Sequence, residues 1–341
     1  MSPARSADQD APAAGAGAPP ATGGAPGPAG TPGSDPPGTD RTSPAVHAIE
    51  LHKRYRTTVA LDGLSMTVAR GEVFGFLGPN GAGKTTAVKL LLGLVRPTGG
   101  EAMVLGAPAG DRETRRRIGY LPELFRYQSW LSAREVLVLH CRLMRLDRSR
   151  WRDEVEGALR TVGLADRGDD RVGTFSKGMQ QRLGLGVALL GEPALVVLDE
   201  PTSALDPVGR HDVRVIIRGL RDRGATVFLN THLLEEAETV CDRVTVIDRG
   251  RAVASGTMAE LTGGQASVRL RITGLSGRWW QSLERFGRWS TDRDWLLVEG
   301  IAAGQIPDLV AAAVGLGGRV EAVVPQRQSL EDRFLELLGE Q

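Results

Sequence analysis

The sequence predicts an α/β chain: an open parallel sheet, a helical subdomain within it, and a small α+β module after it. Three observations predict this class. A glycine-rich loop, Gly78-Pro79-Asn80-Gly81-Ala82-Gly83-Lys84-Thr85-Thr86, lies between the apolar run Val73-Phe74-Gly75-Phe76-Leu77 and a stretch with Val88, Leu91 and Leu92 at helical spacing. A second apolar run, Leu195-Val196-Val197-Leu198, stops abruptly at Asp199 and Glu200. A third, Thr226-Val227-Phe228-Leu229-Asn230, stops just before His232. Continuous apolar runs of this length suit strands buried on both faces of a parallel sheet.

The first loop fits G-x-x-x-x-G-K-[ST] in the strand-before, helix-after context that this pattern requires. Glycines at 78, 81 and 83 let the backbone curl without Cβ clashes and turn several N–H groups inward as an anion nest. The following helix starts with its positive end toward the same anion. Lys84 has the reach to place a charge on β- and γ-phosphates, Thr85 to set its hydroxyl on a magnesium ion, and Thr86 to donate to an inner phosphate.

Asp199 and Glu200 follow a buried strand, and successive side chains of an extended chain point to opposite sides, so the two acids are expected to do different work. Asp199 is placed to hold Mg2+ through water, and Glu200 to orient and polarise a water attacking the γ-phosphate. Pro201-Thr202-Ser203-Ala204-Leu205-Asp206-Pro207 then reads as a rigid loop. Ligands of open α/β sheets bind beyond the carboxyl ends of the strands, which gathers Lys84, Glu200 and His232 around one site. His232 is assigned to the γ-phosphate or the attacking water; His47, His52, His140 and His211 are read as structural.

With these motifs in this order, the chain resembles the nucleotide-binding subunit of an ATP-binding-cassette (ABC) transporter over residues 46 to 262. The resemblance implies a P-loop NTPase with a RecA-like core. It makes the glycine-rich loop the Walker A motif, Asp199 the end of Walker B, Glu200 the catalytic carboxylate, and His232 the switch histidine. Ser203-Ala204-Leu205-Asp206 matches the D-loop. Tyr55 stands where the family stacks an aromatic ring on adenine, although a tyrosine near a strand end is also an ordinary packing residue.

Two segments depart from the family pattern. Phe175-Ser176-Lys177-Gly178-Met179 stands in the place of the Leu-Ser-Gly-Gly-Gln signature and keeps Ser176 and Gly178. A hydroxyl and a bare backbone N–H at the positive end of a helix suit a γ-phosphate, and in this family that phosphate belongs to the other subunit. Lys177 either favours ATP over ADP or lies in solvent. In Ile118-Gly119-Tyr120-Leu121-Pro122-Glu123 the family's Q-loop glutamine is replaced by Glu123, which can still offer Mg2+ an oxygen but adds a negative charge. The same wording resembles the export branch of bacterial ABC ATPases, which includes drug- and antibiotic-efflux members.

Composition bounds the reading. With 341 residues, 41% of them hydrophobic, the chain can build one sizeable core and something smaller. A net charge of +1 argues against nucleic acid as the main partner. The basic run Arg112-Glu113-Thr114-Arg115-Arg116-Arg117 reads as a solvated helix face first and as a supporting contact to a membrane partner second. Cys141 and Cys241 share no metal-like spacing and suit a reducing compartment. No stretch reaches the roughly 18 uninterrupted apolar residues of a membrane span, and the first residues do not form a secretory signal. The resemblance therefore implies a separate integral-membrane permease, a second copy of the chain or a paralogous ATPase, and a place at the cytoplasmic face of the membrane.

Residues 1–45, rich in Pro, Ala and Gly, are expected to be a disordered tail. Residues 124–182 are expected to be helical. There Ser132 and Glu135 form a capping box ahead of Val136, Leu139 and Leu143, while Trp130 reads either as core filler or as part of a permease-facing groove. Residues 263–341 are expected to form the accessory module, with strands at Val268–Ile272, Trp295–Val298 and Arg319–Val324. Ser329-Leu330-Glu331-Asp332 signals a last amphipathic helix, and Trp279 and Trp280 read as core packing first and as a dimer or partner contact second. The competing reading, a soluble non-transport ABC ATPase acting on ribosomes or DNA, lacks the paired cassettes or long coiled-coil insertion expected of it.

Overall fold

The computed structural model describes residues 43–261, 266–275, 279–327, 330, 331 and 334. Of the expected tail, only its last three residues fall among these, and Ala45 is already buried with its N–H bonded to Val68 O. The capping signal expected at Ser329 lies outside the described residues.

The domain opens with β1 (Val46–Tyr55) and β2 (Thr58–Val68), followed by β3 (Val73–Leu77) and, after the glycine-rich loop, α1 (Lys84–Leu91). Next come β4 (Gly99–Val104), β5 (Ala107–Pro108), α2 (Arg112–Arg115) and β6 (Ile118–Leu121). Three helices then run in succession: α3 (Ala133–Leu143), α4 (Trp151–Thr161) and α5 (Lys177–Leu189). The chain returns to the sheet as β7 (Leu195–Asp199), α6 (Pro207–Asp222), β8 (Thr226–Thr231) and α7 (Leu234–Val240). It closes with β9 (Arg243–Asp248), β10 (Arg251–Thr257) and α8 (Met258–Leu261).

Two sheets result. An antiparallel sheet has the order β2-β1-β4-β5, and the central sheet has the order β10-β9-β3-β8-β7-β6. In the central sheet β9, β3, β8, β7 and β6 are parallel to their neighbours, and β10 pairs antiparallel at the edge. Every residue of β3, β7 and β8 is buried, including the polar Asp199, Thr226, Asn230 and Thr231 at the strand ends, as suits central strands covered on both faces. Alternation divides them between two cores. Phe74, Phe76 and Phe228 stack toward the antiparallel sheet with ring centroids 5.5 Å apart, while Val73, Leu77, Val196 and Leu198 face the helices.

The capping box of α3 forms as its sequence dictates: Ser132 Oγ accepts from Glu135 N–H, and the Glu135 carboxylate accepts from Ser132 N–H. The buried stripe of α3 differs from the expected one. Ala133, Val136, Leu137 and Cys141 face the core, whereas Leu139 is at the surface and Leu143 is 67% exposed. Spacings of three and four admit both stripes, and packing against α4 and α5 selects the one carrying small Ala133 and Cys141. Trp130 is 69% exposed, so it is not core filler. Both cysteines are buried and unpaired.

The last module consists of β11 (Ala266–Thr273), α9 (Trp279–Leu283), β12 (Arg288–Asp292), β13 (Trp295–Ile301), α10 (Ile306–Gly315) and β14 (Arg319–Arg327). Its antiparallel sheet runs β12-β13-β11-β14, a βαββαβ arrangement with a core of Val268, Leu270, Leu283, Phe286, Val298, Ile301, Leu309 and Ala313. Trp279 packs against this core, but Trp280 is exposed. Leu330 is buried in the helix-side core of the larger domain, where its N–H donates to the Glu238 carboxylate of α7.

Candidate nucleotide site

Parallel register sets the level of the site. Leu77 pairs with Thr231, Asp199 with Asn230, and Leu121 with Leu198, so β3, β8, β7 and β6 end together. The loops leaving those ends carry Gly78–Lys84, Glu200, His232 and Glu123.

The glycine loop is shaped by close approach as much as by dihedral freedom. Gly83 has φ +107°, and a Cβ there would lie 2.4 Å from the Ala60 carbonyl oxygen. At Gly78 a Cβ would lie 2.2 Å from the Ile247 carbonyl oxygen. Ala82 N–H bonds Pro79 O, closing the turn through Asn80 and Gly81. Lys84 begins α1 and is buried; its Nζ donates to Gly78 O at 2.6 Å and Pro79 O at 3.1 Å. Burial pulls its proton affinity down, and the carboxylates of Glu200, Asp199 and Glu123 hold it up. Thr85 and Thr86 follow in the first turn, half-buried.

Asp199 is buried and accepts from Asn230 Nδ2 at 2.5 Å. Burial drives its pKa above the usual carboxylate value; the Asn230 bond opposes that shift, and the charges of Glu123 and Glu200 reinforce it. Tyr120, on β6, is pushed up to about 12 by burial, with Asp199 and Glu123 adding to the effect. A divalent cation would offset this crowding of negative charge, and Thr85, Asp199 and Glu123 carry oxygens of the kind Mg2+ takes. Among the described residues no three acidic, imidazole or thiol groups converge as a metal cage.

Glu200 departs from the strand alternation expected of it. Its φ is +52°, outside β7, so a turn and not the pleat aims its side chain. Oε1 accepts the His232 backbone N–H at 3.0 Å and lies 2.7 Å from His232 Nδ1. The turn is held from behind: Glu200 N–H donates to Asn230 O at 2.9 Å, and Gln181 Nε2 of α5 donates to the carbonyls of Glu200 at 3.3 Å and Pro201 at 3.1 Å. Sequence reasoning missed Asn230 and Gln181, although a polar residue closing an apolar strand and a glutamine on the buried side of α5 are each visible signals.

The remaining expected residues occupy the surrounding loops. Ser176 caps α5, its Oγ accepting from Met179 N–H at 3.2 Å, with Lys177 exposed and Gly178 half-buried in the first turn. Ser203 Oγ donates to Glu200 O at 3.2 Å, and Asp206 caps α6 by accepting Gly209 N–H at 2.8 Å ahead of Pro207. Tyr55 is 44% exposed and pairs with Thr58, two residues along β2 from the Ala60 carbonyl that abuts Gly83. Lys53 Nζ sits 4.8 Å from its ring centroid.

Comparison with known proteins matches this architecture. The family model described as ABC transporter matches residues 61–203. Daunorubicin resistance ATP-binding protein DrrA2 of Streptomyces coeruleorubidus is 39% identical, across 86% of this chain and 95% of that protein. Nod factor export ATP-binding protein I of Rhizobium sp. (strain N33) is 36% identical, across 86% of this chain and 97% of that protein. Among solved structures, an ATP-binding subunit of an ABC transporter superposes with a TM-score of 0.59 at 31% identity, covering 64% of this chain and 91% of that one.

Proposed function

The chain belongs to the family of ABC transporter ATP-binding proteins, and we propose that it hydrolyses Mg-ATP to drive an exporter whose membrane path is a separate permease. The observation that carries the catalytic part is the Glu200–His232 pair, 2.7 Å apart at the ends of adjacent parallel strands and beside the loop of Lys84.

In this reading Lys84 exchanges its loop carbonyls for β- and γ-phosphate oxygens, while the N–H groups from Gly78 to Thr86 and the Thr86 hydroxyl surround the phosphates. Tyr55 stacks on the adenine. Thr85, Asp199 and Glu123 would hold Mg2+, which when bound would supply positive charge to offset that building on the phosphates. Glu200 accepts a proton from water as the water oxygen bonds to the γ-phosphorus and the bond to the ADP oxygen breaks. His232 keeps the Glu200 carboxylate aimed and offers a donor to the γ-phosphate. ADP and inorganic phosphate leave.

A second copy, or a paralogous ATPase, closes head to tail, so that Ser176, Lys177, Gly178 and Met179 of one protomer complete the phosphate shell of the other. Ser203 and Asp206 shape the loop that meets the partner. Exposed Leu124, Trp130 and Leu143 support a permease contact on the helical subdomain at the cytoplasmic face of the membrane. No described helix is long and apolar enough to cross a membrane. The names of the two relatives above, Nod factor export and daunorubicin resistance, support export as the direction of transport, with a drug-like, lipid or other small cargo recognised by the permease.

Phosphate release by the purified chain tests the reading. Turnover that requires Mg2+ and disappears in Lys84→Ala supports it; absence of Mg-dependent turnover at any protein concentration overturns it.

A further inference from the structure

The loop that carries Glu200 and the helix that follows His232 are tied together a second time. Glu236, in the first turn of α7, is only 6% exposed, and one of its carboxylate oxygens accepts the Thr202 hydroxyl. Thr202 is itself buried, two residues beyond Glu200. The other oxygen, Oε1, is buried with no hydrogen-bond donor. Arg210 Nε, in the first turns of α6, lies 3.9 Å from it and donates to the Leu205 carbonyl at 3.3 Å.

Plain packing does not account for this carboxylate. A buried glutamate with one oxygen unbonded costs free energy that an apolar side chain of similar volume would not. What it gains is registry: residues 200–206 are held to α7 at Thr202, while His232 on the same side holds Glu200 itself. The long Arg210 contact reaches the far end of that loop, where Asp206 caps α6.

We propose that Glu236 is a positioning residue for turnover: by gripping Thr202, and by taking up Arg210 when the loop moves, it fixes Glu200 in register with His232. The proposal rests on the ATPase reading above. It makes the Thr202–Glu236 tether matter for the rate of cleavage and not for ATP binding, because neither side chain belongs to the phosphate loop. It also makes the tether the route by which movement of Ser203 and Asp206 against a second copy reaches the catalytic pair.

Steady-state phosphate release and ATP binding by the full chain test this with Glu236→Ala, Glu236→Gln, Thr202→Val and the Thr202→Val/Glu236→Ala pair. Glu236→Ala and Thr202→Val are each expected to lower kcat about tenfold with KM for ATP within about twofold, and the pair to be no worse than either alone. Glu236→Gln, which keeps an acceptor for Thr202, is expected to recover most of the rate. Thr202→Val preserves shape, so it decides the matter if Glu236→Ala does not fold. A normal kcat in Thr202→Val, a KM that rises in step with the loss of kcat, or effects that multiply in the pair would overturn the tether. A wild-type chain without Mg-dependent turnover overturns the ATPase reading instead, and the tether with it.

Discussion

His232 meets Glu200 twice: its backbone N–H donates to Oε1 at 3.0 Å, and its Nδ1 lies 2.7 Å from the same oxygen. Because the backbone bond survives any side-chain change, the two contributions can be separated. Glu200→Gln keeps the acceptor and removes the base, so ATP binding is expected to persist while kcat falls by about two orders of magnitude or more. His232→Ala leaves the backbone bond and is expected to lose about tenfold to a hundredfold in kcat. Single-turnover cleavage beside nucleotide binding measures both; rapid cleavage by Glu200→Gln would remove Glu200 from the role of base.

Asp199 combines burial with like charges from Glu123 and Glu200, and its folded-state pKa is raised. The folded chain therefore holds this proton to higher pH than the unfolded chain does, and stability at this residue is lost as pH rises above the ordinary value of 3.8 and through the raised one. Asp199→Asn is expected to stabilise the nucleotide-free protein at neutral pH by something on the order of 1 kcal/mol, while abolishing Mg-dependent turnover. Denaturant titration across pH checks the sign: the gap between variant and wild type should narrow as pH falls.

Asn230 opposes that shift by donating to Asp199 at 2.5 Å. Asn230→Ala leaves a buried carboxylate oxygen without its donor, at a cost of about 1–3 kcal/mol. It also raises the Asp199 pKa further, so the acidic limb of the pH–rate profile is expected to move to higher pH. An unmoved limb would mean that Asp199 does not have to be ionised for turnover.

The loop that cradles phosphate leaves no room at Gly83, where φ is +107° and the Ala60 carbonyl oxygen would sit 2.4 Å from a Cβ. Gly83→Ala is expected to destabilise the protein by about 2 kcal/mol or more and to weaken ATP binding at least tenfold. Thermal melting with and without ATP reads both effects.

The site was legible in the sequence wherever chemistry coincides with the end of an apolar run. The buried strands close at Leu77, Asp199 and Thr231, and parallel register alone then brings Lys84, Asp199, Glu200 and His232 to one edge. What was not legible depends on neighbours distant in sequence. Gln181 reaches the Glu200 turn from α5, and Glu236 reaches Thr202 from α7; a polar residue on a buried helix face signals that a partner exists, but not which one. Strand alternation does not reach Glu200, because its left-handed backbone ends the pleat at Asp199. Strand β12 was missed because four of its five residues, Arg288-Trp289-Ser290-Thr291-Asp292, face solvent on a sheet edge and show no alternation of apolar and polar types. On α3 the sequence offered two apolar stripes, and only the packed neighbours chose between them.

In the proposed cycle one protomer alone does not surround the γ-phosphate, and cleavage requires Ser176 and Gly178 from a second. The most direct measurement is turnover per protomer as a function of protein concentration, for the wild type and for Ser176→Arg, whose bulk and charge would occupy the helix start offered to the partner. A rate per protomer that climbs with concentration, and that Ser176→Arg lowers by about a hundredfold without loss of ATP binding, is the predicted result. A constant rate in a strictly monomeric sample, unchanged by Ser176→Arg, would contradict the claim.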